Sequence, residues 1–287
     1  MTVAVKDDTK PNRGANAARL AGIAFGVATQ LGFLVTVWFL FSFLRKGSHR
    51  VGQPWLLVDL LLALQFTVIH SFLLYPAVRQ RITQIVPRPF YGCLFCVSTC
   101  ITLGMVFANW RSSEQTLWDT HGVAAVAMQA GFYTSWILLF YSLYLSGLGY
   151  QTGLTPWWYW LQRQPAPRRT FEIRGLYRWF RHPIYFSFLG LIWFTPRMTW
   201  DHAMLTGLWT VYIFVGSYLK DKRLVLFLGD TYRRYQEQVA GYPLVFFGPL
   251  GRKRPVAGTL AAIGESAGSL PLSRENDVRS KKSDRAA

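Results

Sequence analysis

Gly175-Leu176-Tyr177-Arg178-Trp179-Phe180-Arg181-His182-Pro183-Ile184-Tyr185 places two arginines, a histidine and four aromatic rings directly before a largely apolar run, residues 186–194. Ionisable groups beside hydrocarbon are costly, ~2.5–3.5 kcal/mol for an arginine central in a spanning helix, so their presence there points to function. Pro183 suits the first turn of a helix, where the N–H it lacks has no intrahelical partner. Arg181 and His182 then sit at the donor-rich, positive start of that helix, a place suited to an anionic group. This stretch is the candidate active site, and it implies that the helices around it are membrane helices.

The rest of the chain agrees. Of 287 residues, 51% are hydrophobic and 12 are Trp, while only 16% are charged, against about 25% in soluble proteins. Apolar runs near the ~20 residues needed to cross a bilayer occupy 18–44, 55–75, 90–110 and 123–148. The first is too long for a signal-peptide core and has no small-residue cleavage site, so it reads as an anchor. Two closely coupled apolar helices follow, 183–194 and 202–219, joined by Thr195-Pro196-Arg197-Met198-Thr199. The first of these is short, so a tilted or re-entrant hairpin is possible. The expected fold is an all-α polytopic membrane bundle of about five or six segments ending in a helical hairpin. Its regions are a polar tail (1–16), transmembrane helices (17–148), the hairpin region with its preceding loop (149–250) and a basic tail (251–287), whose composition predicts disorder.

The net charge of +17 would suggest nucleic-acid binding in a soluble chain. Here the bases fall in loops and tails between apolar spans, as the positive-inside bias requires, so nucleic acid is set aside and the lipid bilayer is the expected partner. With six segments, Lys6, Lys10, Arg13, Arg19, the arginines of 79–88, those of 163–181 and the C-terminal bases share one side. Arg45, Lys46, Arg50, Arg111 and Arg197 take the other. That split predicts cytoplasmic termini and a cytoplasmic site.

Cys93, Cys96 and Cys100 share one helical face, but no His or acid lies nearby to complete a metal site. They read as small packing residues, and no metal is expected. Asp59 and His70 read as bundle-facing polar groups, Trp157-Trp158-Tyr159-Trp160 as an interfacial aromatic belt, and Asp201 and His202 as helix-start residues.

After the hairpin come Lys220-Asp221-Lys222-Arg223-Leu224 and Phe227-Leu228-Gly229-Asp230-Thr231-Tyr232-Arg233-Arg234-Tyr235. If the hairpin brings the chain back, Asp221, Tyr232 and Tyr235 return to the face holding Arg181, His182, Pro183 and Tyr185. Such a pocket offers cations for a carboxylate, an acid for an ammonium, and rings for a sulfonium or adenine. S-adenosylmethionine carries all four groups.

These motifs resemble the isoprenylcysteine carboxyl methyltransferase-like membrane methyltransferases, and within them the branch of methanethiol S-methyltransferases and NnrU-like proteins. Gly-x-Tyr-x-x-x-Arg-His-Pro-x-Tyr and Gly-x-x-Tyr-x-x-Tyr carry the broader likeness; Trp193, Pro196, Met198, Thr199 and His202 carry the narrower one. His70-Ser71, Pro87, Trp110 and Leu117-Trp118-Asp119 also look like that branch. The resemblance covers about residues 55–240 and is specific in the C-terminal half. It implies an S-adenosylmethionine-dependent methyltransferase, with Arg181, His182, Pro183, Tyr185, Asp221, Tyr232 and Tyr235 around the cofactor and Arg181, His182 and Tyr185 nearest the chemistry. The small-thiol branch implies methanethiol as acceptor and dimethyl sulfide as product. Two alternatives stand beside it: a lipid, isoprenylcysteine-type or quinone-like acceptor, and a non-enzymatic NnrU-like protein. The last is motivated by Lys220, which stands where the family places the first of two glutamates. Sterol reductases share a related Arg-His-Pro-Tyr core, but the Trp193–His202 pattern favours the thiol branch.

Overall fold

The computed structural model describes residues 13–48, 50, 55–167 and 170–253. It is a helical bundle: α1 (Arg13–Lys46), α2 (Trp55–Leu74), α3 (Pro76–Ile85), α4 (Tyr91–Asn109), α5 (Gly122–Ser146), α6 (Leu148–Gln151), α7 (Leu154–Leu161), α8 (Pro183–Trp193), α9 (Trp200–Leu228) and α10 (Asp230–Gln238). A two-stranded ribbon, β1 (Thr116–Asp119) and β2 (Arg197–Thr199), pairs antiparallel with Trp118 opposite Met198. Among the described residues, α1, α2, α4 and α5 are long and apolar enough to cross a membrane, and α8 is a shorter apolar helix. Leu31, Leu34, Trp38, Leu57, Leu61, Val68 and Ile137 are all more than half exposed on these helices. A bilayer covers such a surface; water would not tolerate it.

The buried face is shared by all the long helices. Phe43 and Leu44 of α1, Leu62 and Ala63 of α2, Leu103 and Val106 of α4, Phe132 and Trp136 of α5, Leu191 and Ile192 of α8, and Leu205 and Trp209 of α9 form one core. At the β1–β2 end, Asp201 accepts from the Trp110 indole (2.9 Å) and from the Ser113 amide (2.9 Å). Asp59, fully buried, accepts from the Arg111 amide (3.0 Å). Asp201 is therefore more than a helix-start residue, since it pins the connection after α4 to α9. Cys93 and Cys96 are buried and Cys100 half-buried in α4.

Four features differ from the sequence expectation. The basic stretch after the second span is a helix, α3, with Pro76 at its first turn. Within the Thr195–Thr199 joint, Arg197–Thr199 form a strand that pairs back to β1. The helical spacing of Leu224, Phe227, Leu228, Tyr232 and Tyr235 predicts helix beyond 219, but it is divided: α9 itself runs on to Leu228, about 44 Å in all at 1.5 Å per residue, with Leu224, Val225 and Leu228 packed against Tyr232, Tyr235 and Val239 of the next helix and its end. Gly229, at φ 56, then ends it. Finally, Trp157 of the aromatic belt is buried, and its indole donates to Gly22 O (3.0 Å). A Cβ at Gly26 would lie 2.0 Å from that indole, so the α1 glycines form the notch that receives α7.

Candidate active site

α8 is only about 17 Å long, so its N-terminus meets α9 far along that helix, at Asp221. Arg181 and His182 precede α8 in a short non-helical stretch after the 3-10 turn Gly175–Arg178. Their amides donate to Ala240 O (2.9 Å) and Gly241 O (3.1 Å). The segment 239–251 thereby lies against them as a strap.

Arg181 is 1% exposed. Its Nε (3.2 Å) and Nη2 (2.8 Å) donate to Asp221 Oδ2. Nη1 donates to Val239 O (2.5 Å) and Gly251 O (3.2 Å), and Nη2 also reaches Leu250 O (3.4 Å). Asp221 Oδ1 accepts from the Tyr232 hydroxyl (2.5 Å). His182 Nε2 lies 3.1 Å from that same oxygen, at an angle short of a hydrogen bond, so both ring nitrogens of His182 lack a hydrogen-bond partner among the described residues. The Gln236 amide is buried beside this cluster, and neither of its side-chain polar atoms has a partner there either.

The charge states follow from burial and neighbours. Asp221 lies in the charged end of α9, beyond its apolar part. Burial raises its pKa, but His182, the Arg181 guanidinium and the Tyr232 hydroxyl outweigh that and hold the carboxyl well below the usual range. Burial pushes His182 down to about 4; the contact with Asp221 opposes this, and Lys220 and Arg181 add to it. We take His182 as neutral near pH 7, with Arg181 balancing Asp221. Burial and the Asp221 charge raise Tyr232, which keeps it a proton donor to the carboxylate.

The structure brings every sequence-derived site residue to one end of the bundle, in three different settings. Arg181 and Tyr232 both donate to Asp221. Tyr235 ties α10 to the 3-10 turn, its hydroxyl donating to Tyr177 O (2.5 Å), while Pro183 is the buried first residue of α8. His182 and Tyr185 face a different set: the ring centroids of Tyr185 and Tyr242 lie 5.7 and 5.6 Å from that of His182, and Lys220 Nζ stands 5.1 Å from the centre of the Tyr185 ring. Lys220 thus points into the site. Tyr242, bonded to Ser217 Oγ, and Gln236 are site residues that the sequence reading missed. Gly241-Tyr242-Pro243 was the available signal for the strap.

No family model matches the chain, and no solved structure does. Curated relatives do match. The chain is 27% identical over 237 residues to methanethiol S-methyltransferase 1 of Bradyrhizobium diazoefficiens, covering 79% of this chain and 83% of that one. It is 28% identical over 235 residues to the methanethiol S-methyltransferase of a Pseudomonas strain (77% and 89% covered). It is also 28% identical over 232 residues to that of Mycobacterium tuberculosis (77% and 95% covered). An apolar helical bundle with a buried polar centre at one end, and relatives of this kind along most of its length, define a membrane methyltransferase. The relatives it resembles along that length are methanethiol S-methyltransferases.

Proposed function

We propose that the chain transfers a methyl group from S-adenosylmethionine to methanethiol, giving dimethyl sulfide, with residues 149–250 as the cofactor-binding region and the site on the cytoplasmic face. The observation that carries this reading is the run of relatives named for that activity across about three quarters of the chain, joined to a buried polar cluster at the start of α8. The cluster fits an amphoteric cofactor through its unsatisfied atoms. His182 Nδ1 and the Gln236 amide are buried with no hydrogen-bond partner among the described residues, and the Tyr185 and Tyr242 rings flank His182. Arg181, Asp221 and Tyr232 support them from behind, as a self-neutralised frame.

When bound, S-adenosylmethionine supplies an electrophilic methyl on a sulfonium. A displacement of that methyl would need positioning more than acid–base catalysis, and the Tyr185 and Tyr242 rings beside His182 would hold the group in place. The acceptor would give up its proton to water before transfer, because the thiolate is the nucleophile. His182, held near pKa 4, is too weak a base to take that proton from an alkanethiol and acts as a hydrogen-bonding group at Nδ1. Arg181 is neutralised by Asp221. Lys220, half-buried over Tyr185, adds positive potential beside His182, which favours the thiolate. The lysine that replaces a family acid is thereby consistent with a thiol acceptor.

Headspace analysis of cells expressing the protein and fed methanethiol tests this reading. Dimethyl sulfide should exceed both an empty-vector control and a His182→Ala control; equal amounts in all three would sink it.

A further inference from the structure

Away from the Arg181 cluster, an open cavity of about 700 Å³ lies between the first turns of α1, the 85–90 connection and α7. Arg19 and Arg163 line one part of it, Phe25 and Leu94 another, and Trp160 forms a wall. A second hollow of about 470 Å³ shares Trp160 and Arg163 and adds Arg88. No Asp or Glu lines either hollow among the described residues.

The chemistry is graded along the helices. Phe25 is six residues beyond Arg19 on α1, about 9 Å deeper at 1.5 Å per residue, and Leu94 lies in the first turn of α4 beyond Arg88, which opens the 3-10 turn Arg88–Phe90 before that helix. A basic rim therefore stands over an apolar floor, along the axes of two spanning helices. The walls are fixed to one another. Trp157 anchors α7 to α1 through Gly22 O, and Arg19 Nη2 donates to Leu161 O (3.2 Å) at the end of α7.

Arg163 adds a second, independent observation. Its amide donates to Trp160 O and the Gln164 amide to Tyr159 O, the paired bonds of a Schellman helix end. Arg163 occupies the left-handed position of that motif, at φ 59. Glycine suits this position, and an arginine there is strained. The chain keeps a long cation at a place where conformation alone favours glycine, and that cation lines both hollows.

We propose that this groove binds one anionic phospholipid of the surrounding bilayer, its phosphate among Arg19, Arg88 and Arg163 and its upper acyl chains against Phe25 and Leu94. The charge complementarity selects an anionic headgroup; the apolar floor selects a lipid over a soluble phosphate.

The test uses the full-length protein in neutral detergent, with thermal unfolding followed against added phosphatidylglycerol, phosphatidylcholine of the same chains, and glycerol 3-phosphate. A ligand of the folded state raises the midpoint, so phosphatidylglycerol should raise it at concentrations where the other two do not. Arg163→Gly is the informative variant, because glycine suits the turn. It should hold the midpoint without lipid at or above the parent value, yet weaken the response to phosphatidylglycerol about fivefold, with Arg88→Gln added bringing the loss to about 25-fold. Equal stabilisation by phosphatidylcholine would overturn the proposal. So would stabilisation by glycerol 3-phosphate, or an Arg163→Gly protein with an unchanged lipid response.

Discussion

Asp221→Asn is the change that most directly probes the frame behind the site. Asparagine keeps the size of the side chain and one acceptor oxygen, but it leaves the Arg181 guanidinium, 1% exposed, without a counter-charge. Removing one partner of a buried pair costs about 3–5 kcal/mol, because the other charge stays buried and uncompensated. The carbonyls of Val239, Leu250 and Gly251 still accept from Arg181, which places the expected loss near ~3 kcal/mol, the lower end of that range. Tyr232→Phe removes a hydrogen bond to the carboxylate (2.5 Å) and should cost about 1.5–3 kcal/mol. Both changes act on one carboxylate, so they should not add: in the Asp221→Asn background, Tyr232→Phe should cost less than ~1 kcal/mol, the scale of a neutral hydrogen bond. Reversible denaturant unfolding of the detergent-solubilised protein measures all four corners of the cycle. An Asp221→Asn protein within ~1 kcal/mol of the parent, or fully additive losses, would refute a frame built on a buried charge pair.

The pH dependence of stability should carry the signature of a buried neutral histidine. His182 is held below its unfolded value, from 6.5 to about 4, so its contribution is complete above pH 6.5 and is lost as pH falls from 6.5 towards 4. The difference amounts to at most about 3 kcal/mol, and unfolding at pH 7, 6 and 5 should show a slope that His182→Gln flattens. Lys220→Glu should tighten S-adenosylmethionine binding about tenfold, read by calorimetry on the purified protein, since it replaces a cation facing Tyr185 with the acid the family carries. The same variant should slow thiol methylation, and no change in either quantity would remove Lys220 from the site. Gly153→Ala should destabilise by about 2–4 kcal/mol: Gly153 has φ +78, and its added Cβ would lie 2.2 Å from the Cys93 amide nitrogen. Gly104→Ala in α4, with nothing within 4 Å, should be neutral or stabilising by up to ~1 kcal/mol, as thermal unfolding of the pair would show.

The spans were legible because a bilayer demands long apolar runs, and the start of α8 was legible because Pro183 marks a first helical turn. What escaped the sequence depends on partners far along the chain. Trp157 reads as a belt residue until Gly22 and Gly26, about 130 positions earlier, are seen to form its notch. β1 and β2 are only four and three residues long, too short for an alternating pattern to show, and their pairing spans some 80 residues. α3 lacks any acidic residue in its first turn, so only Pro76 hinted at it. Convergence of Arg181, His182, Asp221 and Tyr232 could be anticipated from the hairpin. Their bonding to one another could not, because most of the acceptors around Arg181 are backbone carbonyls of 236–251, and carbonyls leave no trace in residue identity. Lys220 reads from sequence only as a cation where the resemblance places an acid; its position over the Tyr185 ring appears only in the fold.

The central claim is a methyl transfer from a sulfonium to a small thiol by this chain itself. Purified protein incubated with methanethiol and S-adenosylmethionine carrying a trideuterated methyl tests it in one step, with mass spectrometry of the vapour above the reaction. The account predicts dimethyl sulfide three mass units heavier than the unlabelled compound, formed only with active protein and reduced by His182→Ala. Cofactor binding with no labelled dimethyl sulfide would contradict it and point to a larger acceptor.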